Sequence, residues 1–125
     1  MANSALTMAI SLKRAYEPAS SRDGERILVD GIWPRGVSKE KLDIKEWLKE
    51  IAPSSELRKA FHAGEMTWGE FRKTYMSELK PYRDTLRKIA KESRERTVTL
   101  VFSAANTEHN NAVVLKQYLN MLRGK

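Results

Sequence analysis

Asp30, Trp33, Arg35 and Lys39 stand close together in one short segment, Val29-Asp30-Gly31-Ile32-Trp33-Pro34-Arg35-Gly36-Val37-Ser38-Lys39. They supply a carboxylate, a large aromatic surface, a planar guanidinium and an ammonium. A guanidinium fork matches a carboxylate or phosphate, so Arg35 is the natural holder of an anion. Lys13 and Arg14, earlier in the chain, can extend that cation into a rim. Towards the other end, Ser103, Asn106, His109 and Asn110 add a hydroxyl, two amides and an imidazole. A helix starting there would offer free N–H groups and a positive dipole end to the same anion. His109 is the candidate proton shuttle, with Asp30 as the carboxylate that orients it or acts as base.

Each residue also has a plainer reading. Arg35 can pair with Asp30 or Glu108 and merely tie its loop down, since ion pairs are often structural. An aromatic beside a Pro-Gly loop is more often a packed plug than a platform for a planar ligand. His109 serves equally well as a capping or satisfied polar residue.

Other chemistries are disfavoured. The chain has no cysteine, which excludes disulfides, thiol catalysis and thiolate zinc sites. Its two histidines, His62 and His109, are far apart in sequence, so no metal site is expected. No serine sits in a Gly-x-Ser-x-Gly elbow. Neither a Walker loop nor a Gly-x-Gly-x-x-Gly fingerprint is present, and no cofactor is implied.

The elements that must position these groups can be read from patterning. A first strand is expected from Leu6 to Leu12, ending near Lys13-Arg14, and a second from Arg26 to Ile32. Asp-Gly at Asp23-Gly24 marks the turn between them. Pro34 keeps Trp33 out of helical space, so strand gives way to loop there. Asp43 with Glu46 reads as a capping box opening a helix through Trp47, Leu48 and Ile51, which Pro53 stops. Ser54 or Ser55 caps a short helix ending at His62, before Gly64. Thr67 with Glu70 opens another, with Phe71, Tyr75 and Leu79 on one face. Beyond Pro81 a helix carries Leu86, Ile89 and Ala90 inward and Arg83, Arg87, Lys88, Lys91 and Arg94 outward. Thr97 to Phe102 is β-branched and apolar almost throughout, as in a strand covered on both faces. The last helix buries Ala112, Leu115, Leu119 and Leu122, and Gly124 ends it.

Strands separated by helical crossovers predict an α/β fold, with a small, mainly parallel sheet of about three strands flanked by helices. The 125 residues suit a single compact domain, with residues 1–6 as a loose tail. Such folds bind ligands at the carboxyl ends of their strands. Lys13-Arg14, Trp33 to Lys39 and Ser103 to Asn111 all fall there.

Hydrophobic residues make up 41% of the chain and charged residues 31%, an ordinary globular balance. The net charge of +7 favours anionic partners. The basic helix after Pro81 can track a nucleic-acid backbone, although Asp84, Glu92 and Glu95 make a solvated face the commoner explanation. No apolar run approaches the roughly 20 residues of a membrane span. A soluble cytoplasmic protein is expected, with no membrane partner.

Several stretches resemble the domain of unknown function 488, in its YeaO-like branch. They are Lys13-Arg14-Ala15-Tyr16, Asp23 to Asp30, Trp33 to Lys39, Pro53-Ser54-Ser55-Glu56-Leu57-Arg58 and Glu108-His109-Asn110-Asn111-Ala112-Val113-Val114-Leu115. The resemblance covers about Met8 to Leu119. It implies a compact α/β domain of bacterial or archaeal type and, as the family's name says, no assigned activity. The chain departs from that pattern where Gly31 replaces an expected arginine and Phe102 an expected tyrosine. Asn106 and Thr107 stand in place of a basic residue and an aspartate. The expected function is therefore binding of a small anionic ligand, with acid–base chemistry by His109 and Asp30 as its catalytic form. A nucleic-acid-associated or regulatory module is the alternative.

Overall fold

The computed structural model describes residues 9–123, so Leu6 to Met8, the expected tail and Gly124 lie outside the described residues. Four parallel strands form the sheet: β1 (Ile10–Arg14), β2 (Glu25–Leu28), β3 (Glu46–Trp47) and β4 (Val98–Phe102), in the order β1-β4-β2-β3. Central β4 is buried at every position, as its almost wholly apolar, β-branched run predicts. Its register sets Arg14 beside Phe102 and Leu28 beside Val101, so β1, β2 and β4 finish at one edge.

The period of two divides the core. Ile10, Ile27, Val98, Leu100 and Phe102 point to one face and pack with residues of four helices. These are α2 (Ser55–His62), α3 (Trp68–Leu79), α4 (Arg83–Glu95) and α5 (Asn111–Arg123). Leu28, Val101 and Ala15 form a smaller cluster with Leu42, Trp33 and Trp47. Leu42 belongs to the short α1 (Lys39–Leu42), capped by Ser38.

Local signals act as written in the chain. The Ser54 hydroxyl accepts from Leu57 N–H, and Thr67 with Glu70 forms a reciprocal capping box. Pro81 sits in a 3₁₀ turn, Lys80–Tyr82, between α3 and α4. At Gly24, φ is 62°, and a Cβ would lie 2.1 Å from the Thr97 carbonyl oxygen. Only glycine lets the backbone approach that closely.

One expectation is corrected. Asp43 does not cap a helix through Trp47; it ends α1 in the left-handed region, and Glu46–Trp47 is a strand. The open edge of β2 decides this, because its Arg26 and Leu28 carbonyls accept from Lys45 and Leu48 N–H. Ile44 and Trp47 pack with the smaller cluster, whereas Leu48 and Ile51 join the larger, so no single helical face serves all four. Only Lys49–Ile51 turns helically, as one 3₁₀ turn.

Candidate functional site

Where β2 and β4 end, the chain opens a cleft of about 390 Å³. Asp30 to Arg35 form one wall, Ser103, Ala104 and His109 to Asn111 another. Arg58, Phe61 and His62 of α2 face them, with Phe71 of α3 and Tyr16 after β1 also lining the cleft. Its volume falls within the range of small-molecule sites.

Asp30 holds the two strand ends together. Its Oδ2 accepts from Ser103 N–H at 2.9 Å and from Ser103 Oγ at 2.5 Å. Its Oδ1 accepts from Asn111 Nδ2 at 3.1 Å, and the same amide reaches the Val29 carbonyl. No hydrogen bond joins Asp30 to His109 among the described residues. Beneath the cleft, buried Tyr75 donates to the Ile51 carbonyl at 2.5 Å. Burial pushes its phenol well above the ordinary range, and the charge of Asp30 adds to that.

The cations divide into two groups. Arg35 is exposed and Arg58 half-buried, and both line the cleft. Neither has a hydrogen bond or ion pair among the described residues. Arg35 thus pairs with neither Asp30 nor Glu108. Arg14 lies just outside, where its guanidinium holds the Ser103 and Ala104 carbonyls and covers the Tyr16 ring at 5.2 Å. Lys13 turns to the other sheet face and pairs with Asp23 at 3.0 Å. Lys39 starts α1, exposed and outside the cleft lining.

Trp33 is held as a packed side chain as well as a wall. Its indole N–H donates to the Val37 carbonyl at 2.7 Å, and its ring meets Trp47 edge-on. Asn106 and Asn110 are occupied at the start of α5. Asn106 Oδ1 accepts from Glu108 and His109 N–H, and Asn110 Oδ1 from Val113 N–H. Several of the N–H groups expected to face an anion are therefore already satisfied within the protein. His109 precedes α5 rather than beginning it, and its ring stacks on Trp68 with centroids 4.6 Å apart.

Arg58 and His62 are among the cleft residues not expected as site residues from the sequence, as are Tyr16, Phe61, Phe71 and Asn111. For Arg58 and His62 the signal was present: with Phe61 they occupy positions i, i+3 and i+4 of α2, one helical stripe. No helix among the described residues is long and apolar enough to cross a membrane, and no three His, Cys, Asp or Glu residues there cluster as metal ligands.

A family model described as "Inactive DUF488-N3 subclade" matches residues 9–123. "Uncharacterized protein YeaO" of Escherichia coli K12 is 45% identical over 115 residues, covering 92% of this chain and all of the relative. "Uncharacterized protein Mb3100c" of Mycobacterium bovis and "Uncharacterized protein Rv3073c" of Mycobacterium tuberculosis are each 35% identical over 111 residues, covering 89% of this chain and 93% of each relative. No solved structure gives a significant match. On the extent of the family match and the identity to YeaO, the chain belongs to the DUF488 family.

Proposed function

We propose that this protein binds a small phosphate- or carboxylate-bearing ligand in the cleft at the strand ends, with Arg35 and Arg58 holding the anion. The observation that carries this reading is Arg58, a half-buried guanidinium with no partner among the described residues. A partly desolvated charge without a partner is unfavourable, and an anion arriving beside it relieves that penalty. Binding without turnover is the form we favour. Asp30 is occupied by Ser103 and Asn111, and the matching family model carries the word "inactive" in its description. The cysteine-free composition suits the cytoplasm, where we assign this binding.

Titration of the purified chain with inorganic phosphate and with acetate, followed by thermal shift, tests the reading. A ligand at a hundredfold its dissociation constant stabilises by about 2.7 kcal/mol. The shift should vanish in Arg58→Ala and weaken in Arg35→Ala. No shift with either anion, or a shift indifferent to both substitutions, would sink it.

The surface of α4 supports a second reading, binding of a nucleic-acid backbone. Arg83, Arg87 and Lys91 recur every fourth residue, all are exposed, and none has an ion-pair partner among the described residues. Affinity for oligonucleotides should then fall steeply with salt and with charge reversal at Arg87 and Lys91.

A further inference from the structure

The walls of the cleft carry aromatic rings that stack pair by pair, with Phe61 and Trp68 turned 45° from one another. Phe61 stacks on Phe71 with centroids 4.5 Å apart and planes 23° apart. Trp68 lies 22° from Phe71, and His109 lies 13° from Trp68. Of these rings, Phe61, Phe71 and His109 line the cleft itself. Phe71 is buried and forms floor, Phe61 is half-buried and His109 is exposed. Trp68 covers one face of the imidazole, and no other ring of the described residues covers the second. At the rim, Tyr16 and Ile32 remain 48% and 57% exposed, unusual for large apolar side chains.

Two kinds of surface therefore meet in one cavity: guanidinium groups without partners and pairwise stacked rings, of which Phe61 and His109 keep accessible area. An inorganic anion would satisfy the first and leave the second wet. We infer that the ligand is an aromatic anion, a flat ring bearing one phosphate or carboxylate, with the ring added to the Phe61–His109 wall and the anion held by Arg35 and Arg58. This inference rests on the anion-binding reading of the same cleft. Rings prefer offset stacking on existing rings, and a cavity of about 390 Å³ is of ordinary size for such a ligand. The chemistry has two sources, a nucleotide phosphate or an aryl carboxylate, and the cleft's features are common to both.

The experiment is calorimetric titration of the full chain with matched pairs of probes. Adenosine 5′-monophosphate is set against ribose 5-phosphate, and indole-3-acetate against acetate, with adenosine as the ring without an anion. In at least one pair the ring-bearing probe should bind about tenfold tighter, the gain expected from one stacked ring. The pair that shows the gain names the source. Arg58→Ala should weaken both members of that pair, and His109→Ala or Phe61→Leu should shrink the ratio between them. Equal affinities within both pairs overturn the aromatic ligand and leave the anion site standing. A ratio untouched by both ring substitutions likewise removes the ring wall. Adenosine binding as tightly as its monophosphate, no binding by any anion, or binding indifferent to Arg58→Ala overturns the anion site and this inference together.

Discussion

Ser103 Oγ donates to Asp30 Oδ2 across 2.5 Å, while Ser103 N–H donates to the same oxygen at 2.9 Å. Asp30 follows β2 and Ser103 follows β4, so one carboxylate binds the ends of two adjacent strands at the mouth of the cleft. Ser103→Ala removes the hydroxyl bond and keeps the backbone one. It should lower stability by about 1.5–3 kcal/mol, the range for a hydrogen bond to a charged group. Asp30→Ala strands both Ser103 donors and the Asn111 amide and should lower it further. Urea unfolding measures both; equal losses would mean that the backbone bond adds nothing.

Acid should act in part through Asp23. Burial opposes ionisation of its carboxyl most strongly, but Ser20 N–H, Lys13 and Arg26 together outweigh it and hold the group below its usual 3.8. A carboxylate with a lowered folded pKa contributes stability above its unfolded pKa and loses it as pH falls through the folded value. Stability should therefore decline below about pH 4 as the unfolded chain takes up the proton first. Asp23→Asn should flatten that part of the curve, at the expense of stability near neutrality. An unchanged slope in acid unfolding experiments would remove Asp23 from the account.

Two of the glycine turns, at Gly24 and Gly36, should respond differently to alanine. At Gly24 a Cβ would lie 2.1 Å from the Thr97 carbonyl oxygen, in addition to the unfavourable positive φ. The strand pairing would have to shift, and the loss should exceed about 3 kcal/mol. Gly36 has φ of 79° but nothing within 4 Å of its would-be Cβ. Gly36→Ala should lose only about 1–2 kcal/mol, the backbone term alone. Thermal melts of the two variants test the contrast.

Arg58→Ala should separate binding from stability. The guanidinium has no partner in the protein, so unfolding free energy should change by no more than about 0.5 kcal/mol. Phosphate affinity should fall by at least about tenfold, the worth of one charge-assisted hydrogen bond. A large loss of stability would return Arg58 to a structural role.

Gly31→Arg should strengthen the site. Gly31 lines the cleft, and a Cβ there meets only the Ala52 methyl at an ordinary 3.6 Å. A third guanidinium at the wall should tighten inorganic phosphate by about tenfold or more. Unchanged or weaker binding would place the anion away from position 31.

Several features were legible in the sequence because their causes are local. The almost wholly apolar, β-branched run of Val98–Phe102 specifies a strand covered on both faces. Ser54, Thr67 and Glu70 satisfy the first N–H groups of their own helices, and so place α2 and α3 unaided. The parallel order of β2 and β4 followed from the helical crossover between them, and with it the edge where the Asp30 and Ser103 loops meet. Other features were decided only by tertiary contact. Glu46–Trp47 became a strand because the free edge of β2 offered carbonyls that a local capping signal could not outbid. Lys13 went to Asp23 because the pleat points it away from the cleft. Arg58 and His62 reached the site because burying Leu57 turns the adjacent stripe of α2, with Phe61, towards the strand ends. Hydrogen-bond caps and apolar runs act within a few residues, so a sequence displays them. Pairing partners and cleft walls come from segments far apart in the chain, and only the packed sheet and helices choose among them.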